Sequence, residues 1–186
     1  VSPISSWAKE FGAYDIAALK LADKDHWNDA MQKAKRGSPD TQLFIEWMYV
    51  THADRVNRSF NDVVELLDKT PDWPYRYRLY SEAEKRVPND WPSDEVLAWF
   101  GDRKPREFES VKVYARALLE TDPKKGKEYI RNYWSNTSMS TKSADEFYRL
   151  YKAHLTQTDH IDRIDHLIWV GRYTQAQKLF SRVPLD

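Results

Sequence analysis

The chain has 186 residues, and its 29 Lys and Arg residues balance its 29 Asp and Glu residues, so the formal net charge is +0 at pH 7. This balance excludes a protein that binds nucleic acid through bulk positive charge, and no apolar run approaches the ~20 residues of a membrane-spanning helix. The absence of cysteine excludes disulfides, thiol nucleophiles and Cys-based metal sites, and only five glycines are available for phosphate-binding loops. We therefore expect no nucleic-acid partner, no membrane span, no metal and no cofactor.

Apolar residues recur at helical spacing along the chain, with short turns between the helical stretches. The predicted helices, in chain order, centre on 13–21, 27–34 and 40–50 and then cover 60–70, 75–87, 93–100, 108–119, 123–134, 141–155, 158–170 and 174–183. No segment alternates apolar and polar residues for long enough to predict a strand. The sequence therefore predicts an all-α protein of about ten helices.

Short signals mark several helix ends. Gly37-Ser38-Pro39 ends one helix, because Gly is favoured just past a helix and Pro cannot continue it. Asp122 precedes Pro123, so the Asp side chain can cap a helix whose first residue is Pro. Turns of about three to six residues then predict that consecutive helices pack as antiparallel hairpins.

One pattern occurs twice in the chain. WNDA at 27–30 and FNDV at 60–63 each open a helix with an aromatic residue, and the two starts lie 33 residues apart. This spacing is close to the ~34 residues of a tetratricopeptide hairpin. We therefore predict a superhelical solenoid of antiparallel helical hairpins, built from degenerate tetratricopeptide-like repeats, as a single domain over 1–186. The alternative is a globular helical bundle.

The densest polar cluster lies at the predicted start of a late helix. Asp159, Asp162 and His166 share one face of that helix and could bind a metal. Arg163 would neutralise the neighbouring acids, and no HExxH spacing is present. We therefore interpret the cluster as a cap, from Thr158 or Asp159, followed by exposed ion pairs.

Two Trp-Pro dipeptides and one lysine run supply the candidate binding residues. Trp73 and Trp91 each precede a proline, so each indole could offer its face to a sugar ring or pack on the next helix as a hydrophobic staple. Lys124, Lys125 and Lys127 form a basic patch near a helix start, which could meet an anionic polymer or be a solvated face. Five further tryptophans lie in helical apolar patterns and are expected in the core: Trp27, Trp47, Trp99, Trp134 and Trp169.

The stretch 159–172 (DHIDRIDHLIWVGR) carries the most specific pattern in the chain, with WSNT at 134–137 and Leu155-Thr156 before it. It resembles the N-terminal α-superhelical domain of soluble lytic murein transglycosylases, in which a Leu-Thr, Asp-His and Arg-x-Asp-x-Leu-hydrophobic-Trp stretch precedes another repeat. The stretch 75–84 (YRYRLYSEAE) also fits that family's helical hairpins. The resemblance covers most of the chain.

The resemblance implies a fragment of an enzyme that cleaves peptidoglycan glycan strands to 1,6-anhydromuramyl products with one Glu. In that family the Glu lies in a Glu-Ser motif of a lysozyme-like domain that follows the superhelix. The only Glu-Ser here, Glu109-Ser110, lies inside a predicted helix with no glycine-rich motif after it, so no catalytic residue carries over. We therefore expect a non-catalytic domain that positions glycan strands, or cell-wall protein partners, for a catalytic domain outside this chain.

The compartment implied by the resemblance is the periplasm, and the absence of cysteine suits an oxidising compartment. The chain opens at Val1-Ser2-Pro3 without Met or a signal-peptide pattern, so we expect a processed form or a piece of a longer protein. The alternative function is a free-standing helical-repeat scaffold that binds a protein partner on its concave face.

Overall fold

The structure, a computed structural model, describes residues 11–183. These residues form eleven α-helices and two short 3₁₀ helices, and none of them lies in a β-strand, which confirms the predicted all-α class. Within this range no helix has the length and apolar character to cross a membrane. The chain divides into two units, Val1–Arg86 and Val87–Asp186. The solenoid of tetratricopeptide-like hairpins and the single domain over 1–186 stay predictions.

The first unit is built around its third helix. Consecutive helices pack on each other, and the third also contacts the first and the fifth. Small buried side chains let these helices approach closely, as in the cluster Ala18, Ala22, Ala30, Ala34 and Ile45. The helices are α1 (Ala13–Ala22), α2 (Trp27–Ala34), α3 (Pro39–His52), α4 (Phe60–Lys69) and α5 (Arg76–Glu84).

A buried carboxylate ties α1 to the start of α3. Asp15 accepts hydrogen bonds from the backbone N–H of Ser38 at 2.7 Å and of Gly12 at 2.8 Å. The Ser38 bond is the main reason why the pKa of Asp15 lies below its ordinary value. Gly37 leaves the room that this carboxylate needs, because a Cβ there would overlap Asp15 Oδ1 and lie 3.0 Å from Cγ.

In the second unit the second helix packs between the first and the third, and the third also packs on the fifth. The third helix meets the fourth through aromatic side chains, since Tyr133 and Trp134 lie against Phe147. The helices are α6 (Ser93–Phe100), α7 (Phe108–Thr121), α8 (Pro123–Asn136), α9 (Thr141–Tyr151), α10 (Gln157–Trp169) and α11 (Tyr173–Gln177), with 3₁₀ helices at Lys152–His154 and Phe180–Arg182.

Gly126 permits the close approach of α7 and α8. A Cβ at this position would lie 2.7 Å from both Cα and backbone N of Leu119, so a larger residue would push the two helices apart. The core that these helices share extends from α7 to the residues after α11. Its buried members are Val111, Ala115, Ile130, Trp134, Met139, Phe147, Tyr151, Leu167, Ala176 and Leu179.

A buried arginine joins α10 to the end of α8. Arg163 is 1% exposed, and its guanidinium carbon lies 4.2 Å from the centroid of the Trp134 ring. Its Nη1 donates to the backbone oxygens of Trp134 at 2.5 Å and Thr137 at 3.2 Å, where α8 ends and leaves carbonyls without helical partners. Burial, and then the charge of Arg182, lower the pKa of Arg163 to about 10, so it stays charged at neutral pH. The interpretation of Arg163 as part of an exposed ion pair was wrong.

Most predicted helices lie where the sequence places them. The helix predicted at 93–100 has those bounds, because Gly101 at φ 52° ends it. Helix α5 begins one residue later than predicted, since Tyr75 lies in the left-handed region with φ 57°. The helix predicted at 174–183 is wrong over much of its length, because α11 has five residues and a 3₁₀ helix follows it.

The five tryptophans predicted to lie in the core divide into three groups. Trp47 and Trp134 are buried, and Trp27 and Trp99 are half-buried. Trp169 is 89% exposed, so the prediction was wrong for this residue. It is the last residue of α10, and no described side chain covers its ring.

Candidate functional site

The predicted contact residues lie at three places in the structure. Lys124 and Lys127 line a groove between α8 and α10, and Lys125 lies outside that groove. Trp73 belongs to an aromatic cluster of the first unit, whereas Trp91 packs on α6 in the second unit. The role of these five residues in binding stays a prediction.

The α8–α10 groove is a polar cleft with a volume of about 460 Å³. Its walls carry basic, acidic, amide and hydroxyl side chains, so it offers both charge signs and many hydrogen-bonding groups. The α8 wall supplies Lys124, Lys127, Glu128, Arg131, Asn132, Ser135 and Asn136, and the α10 wall supplies Asp159 and Asp162.

Helical periodicity places the basic side chains of the groove on one wall. Lys124, Lys127 and Arg131 follow each other at intervals of three and four residues, so they share one face of α8. Ile130 and Trp134 lie on a different face of this helix and are buried in the core. The core packing of α8 therefore fixes which face lines the groove.

The cap predicted at the start of α8 is confirmed. Asp122 accepts a hydrogen bond from the backbone N–H of Lys125 at 3.1 Å, and Pro123 is the first residue of the helix. This N–H bond, and then the Lys125 ammonium 3.3 Å away, lower the pKa of Asp122. The charge of Lys125 is thus balanced by a neighbouring carboxylate outside the groove.

The α10 wall begins with a capping box. Thr156 Oγ1 accepts from the backbone N–H of Asp159 at 3.3 Å, and Asp159 Oδ2 accepts from the backbone N–H of Thr156 at 2.6 Å. The N-cap residue is therefore Thr156, so the predicted caps at Thr158 and Asp159 were wrong, and Asp159 is the reciprocal partner of Thr156. Ser135 Oγ donates to the backbone oxygen of Asp159 at 3.3 Å, which attaches this capped start to α8.

The three cations of the groove differ in what already holds them. Arg131 Nε donates to the His154 carbonyl at 2.9 Å and lies 3.6 Å from Asp159 Oδ2. Lys124 and Lys127 form no ion pair with any residue in the described part of the chain. Two ammonium groups on this wall are therefore available to a ligand.

The arrangement suits recognition of a ligand with both charge signs. Carboxylates on the ligand would pair with Lys124 and Lys127, and an amine would pair with Glu128 or Asp162. Ser135 is not an activated nucleophile, because its hydroxyl donates to a backbone carbonyl instead of to a base.

The residues once considered for a metal have other partners. Asp159 completes the capping box of α10, and His166 Nε2 lies 3.1 Å from Ser138 Oγ. Among residues 11–183, no three His, Asp or Glu side chains come together as a metal site.

The aromatic cluster of the first unit consists of Phe44, Trp47, His52, Trp73, Tyr75 and Tyr77. The Trp73 ring lies 5.6 Å from the Trp47 ring and 6.0 Å from the Phe44 ring, so it packs on α3 rather than on the helix that follows it. Trp47 Nε1 donates to the Pro74 carbonyl at 3.2 Å and holds this turn against α3. No signal in the sequence predicts that these rings meet.

Trp91 packs on the helix that follows it, as a staple does. Its Nε1 donates to Glu95 Oε2 at 2.7 Å, and its ring lies 5.9 Å from the Trp99 ring. The backbone oxygen of Trp91 also accepts from Arg116 Nη2 at 2.5 Å, which joins the turn to α7. The indole is therefore held on α6, while the backbone of its turn is held on α7.

Comparisons with protein-family models, with curated proteins and with solved structures give no match. The resemblance of residues 159–172 to lytic transglycosylases therefore stays a prediction from the sequence.

Proposed function

We propose that this chain is a non-catalytic helical domain of a periplasmic peptidoglycan lytic transglycosylase, and that it positions glycan strands for a lysozyme-like domain of the same polypeptide. The sequence resemblance and the predicted lysine contacts coincide at the α8–α10 groove. The stretch 159–172, which carries the resemblance, supplies one wall of the α8–α10 groove, and Lys124 and Lys127 lie on the other wall. This juxtaposition is the observation that carries the proposal.

The groove has the chemistry to hold the peptide stems of peptidoglycan. A stem peptide bears carboxylates and amines along a short chain, which matches the lysines and carboxylates of the two walls. Each exposed ion pair contributes about 0–1 kcal/mol, so retention of a stem requires several contacts at once. Binding of this kind weakens as salt is raised, because exposed charges are screened.

The test is retention of the chain on purified sacculi. Lys124→Glu combined with Lys127→Glu reverses two charges of the groove, and we expect retention to fall severalfold. The control for each single variant, Lys124→Glu and Lys127→Glu, is Lys125→Glu, which reverses one charge on the same helix but outside the groove. Circular dichroism verifies that all variants keep their helices. Equal retention of the double variant and the native chain would contradict the role of the groove.

The chain alone is expected to release no anhydromuropeptides from sacculi. Glu109 of the only Glu-Ser lies in α7 and pairs with Lys112 at 2.8 Å. Chromatography of the soluble products measures this directly. Release of anhydromuropeptides by the purified chain, abolished by one carboxylate substitution, would show that an active site lies within it.

A second candidate function, a scaffold for a protein partner, is favoured by one apolar patch. The α10-end patch consists of Ile168, Trp169, Val170 and Tyr173, of which Trp169 is 89% and Tyr173 66% exposed. Exposed apolar patches of this kind are typical of protein interfaces. If partner binding is the main function, Trp169→Ser abolishes chemical cross-linking of this chain to a periplasmic protein partner. Its retention on sacculi stays unchanged.

A further inference from the structure

The aromatic cluster of the first unit has outer rings that are exposed to solvent and an inner ring that is buried. Tyr77 is 57% exposed, Tyr75 44% and Phe44 37%. Beneath them Trp47 is buried, and its ring lies 5.6 Å from Phe44 and 6.0 Å from Tyr75. The outer rings therefore rest on a packed layer.

Tyr75 is fixed in place by its neighbours. Its backbone lies in the left-handed region, with φ 57° and ψ 23°, which is unfavourable for a residue other than glycine. Its ring lies 5.6 Å from His52, 6.0 Å from Trp47 and 6.2 Å from Tyr77. A ring held by three neighbours loses little freedom when a ligand stacks on it, which favours binding.

Polar groups surround these rings. The guanidinium carbon of Arg78 lies 5.8 Å from the Tyr75 ring centroid, and its Nη1 donates to the Thr51 carbonyl at 2.6 Å. His52 Nδ1 lies 2.7 Å from Thr51 Oγ1, which leaves Nε2 of this exposed side chain for a ligand. With the hydroxyls of Tyr75 and Tyr77, these groups place hydrogen-bond donors and acceptors beside the aromatic faces.

A pyranose ring has the complementary distribution, with apolar C–H groups on its faces and hydroxyls around its edge. Among residues 39–84 the large hydrophobic side chains that are exposed are all aromatic, namely Phe44, Tyr75 and Tyr77. The α10-end patch, by contrast, mixes aromatic with aliphatic side chains, as a protein interface does. The aromatic cluster therefore fits a sugar better than it fits a protein partner.

We propose that the aromatic cluster binds the neutral glycan backbone, with Tyr75 and Tyr77 as the rings on which sugars stack. The choice of polymer rests on the proposed function. Trp73, half-buried between Phe44 and Trp47, supports the outer rings. The site is distinct from the α8–α10 groove, which takes charged stems.

The test uses a probe without stem peptides or charge, a β-1,4-linked N-acetylglucosamine tetramer, titrated into the full chain and followed by NMR. We expect the indole N–H signals of Trp47 and Trp73 to shift on binding. Tyr77→Ala removes a mostly exposed ring and should weaken binding about threefold to tenfold, whereas Tyr77→Phe keeps stacking and should weaken it less. The control is Tyr14→Ala, an exposed tyrosine of α1 outside the cluster.

Three results would overturn this assignment: no binding of the tetramer, equal affinity of the Tyr77→Ala and Tyr14→Ala chains, or shifts confined to other tryptophans. A proline-rich peptide that produces the shifts when the tetramer does not would identify a protein partner instead. If the tetramer does not bind, sacculus retention through Lys124 and Lys127 can still be observed. If the groove variants keep full sacculus retention, tetramer binding can still be observed. The two proposals therefore fail separately.

Discussion

The aromatic cluster of the first unit and the ring network around Trp134 in the second unit are built in opposite ways. In the first unit the rings around Trp47 extend to the surface, where Tyr77 is more than half exposed and polar groups lie beside them. In the second unit Trp134 is enclosed, with the Arg163 guanidinium over its ring and the His160 ring 5.7 Å away. Polar partners inside the Trp134 network therefore make its rings part of the core, whereas polar partners at the edge of the aromatic cluster leave its outer rings exposed.

The largest loss of stability is expected at Trp134, the enclosed ring of the second unit. Trp134→Ala should lower the free energy of unfolding by about 3–5 kcal/mol, because it removes a side chain that is 1% exposed and leaves a cavity. Trp169→Ala makes the same change at an exposed position and should cost less than about 0.5 kcal/mol. Urea unfolding of the full chain measures both, and similar losses for the two variants would break the comparison.

The second-largest loss of stability is expected at the buried cation Arg163. Arg163→Lys should lower the free energy of unfolding by about 1.5–3 kcal/mol, because an ammonium cannot stack on Trp134 while reaching both carbonyls at the end of α8. Arg131→Lys, on the exposed wall of the groove, should cost less than about 1 kcal/mol. A smaller loss for the buried substitution than for the exposed one would show that Arg163 is not structural.

The enclosed network should also respond to pH. Burial, and then Arg182, lower the pKa of His160, with Arg163 adding to this and Asp159 opposing it. The unfolded chain therefore binds a proton near pH ~6.5 that the folded chain resists, so stability is complete above that pH and falls as pH drops through it. The measurement is urea unfolding between about pH 7.5 and 5.5.

His160→Phe is the matched variant for this pH dependence. It keeps an aromatic ring, and Nδ1 of His160 has no hydrogen-bond partner among the described residues that would be lost. We expect its stability to be flatter than that of the native chain over the same pH range. An unchanged slope would assign the dependence to other groups.

The smallest effect on stability is expected at the open ring. Tyr77→Ala should change the free energy of unfolding by less than about 0.5 kcal/mol, since most of the side chain is already in solvent. Combined with weaker tetramer binding, this would sharpen the contrast between an open and an enclosed network. A loss above about 2 kcal/mol would mean that Tyr77 belongs to the core.

Local signals in the sequence predicted the helices well because caps and breakers act over a few residues. Asp122 and Pro123 begin α8 as expected, and Gly101 ends α6. Trp169 shows the limit of periodicity, since an apolar stripe marks a face without showing whether anything covers it. An apolar stripe is buried only if residues from distant parts of the chain pack on it.

The sites were less predictable because they form between distant residues. Lys124 and Lys127 were candidates, but only the packing of α8 on α10 brings them opposite Asp159 and Asp162. Arg163 was misinterpreted because its partners are carbonyls 26 and 29 positions away, which no local charge pattern reveals. Sequence alone therefore supplied four residues of the groove walls and not the groove.

The pairing of Asp15 with Gly37 constrains how this sequence can vary. A methyl group at 37 would displace a carboxylate that joins two helices, so Gly37→Ala should be damaging only while Asp15 is present. In an Asp15→Ala background the same substitution meets no carboxylate, and its penalty should shrink. The two positions are therefore epistatic, and we expect a library randomised at both to return Asp with Gly, or neither.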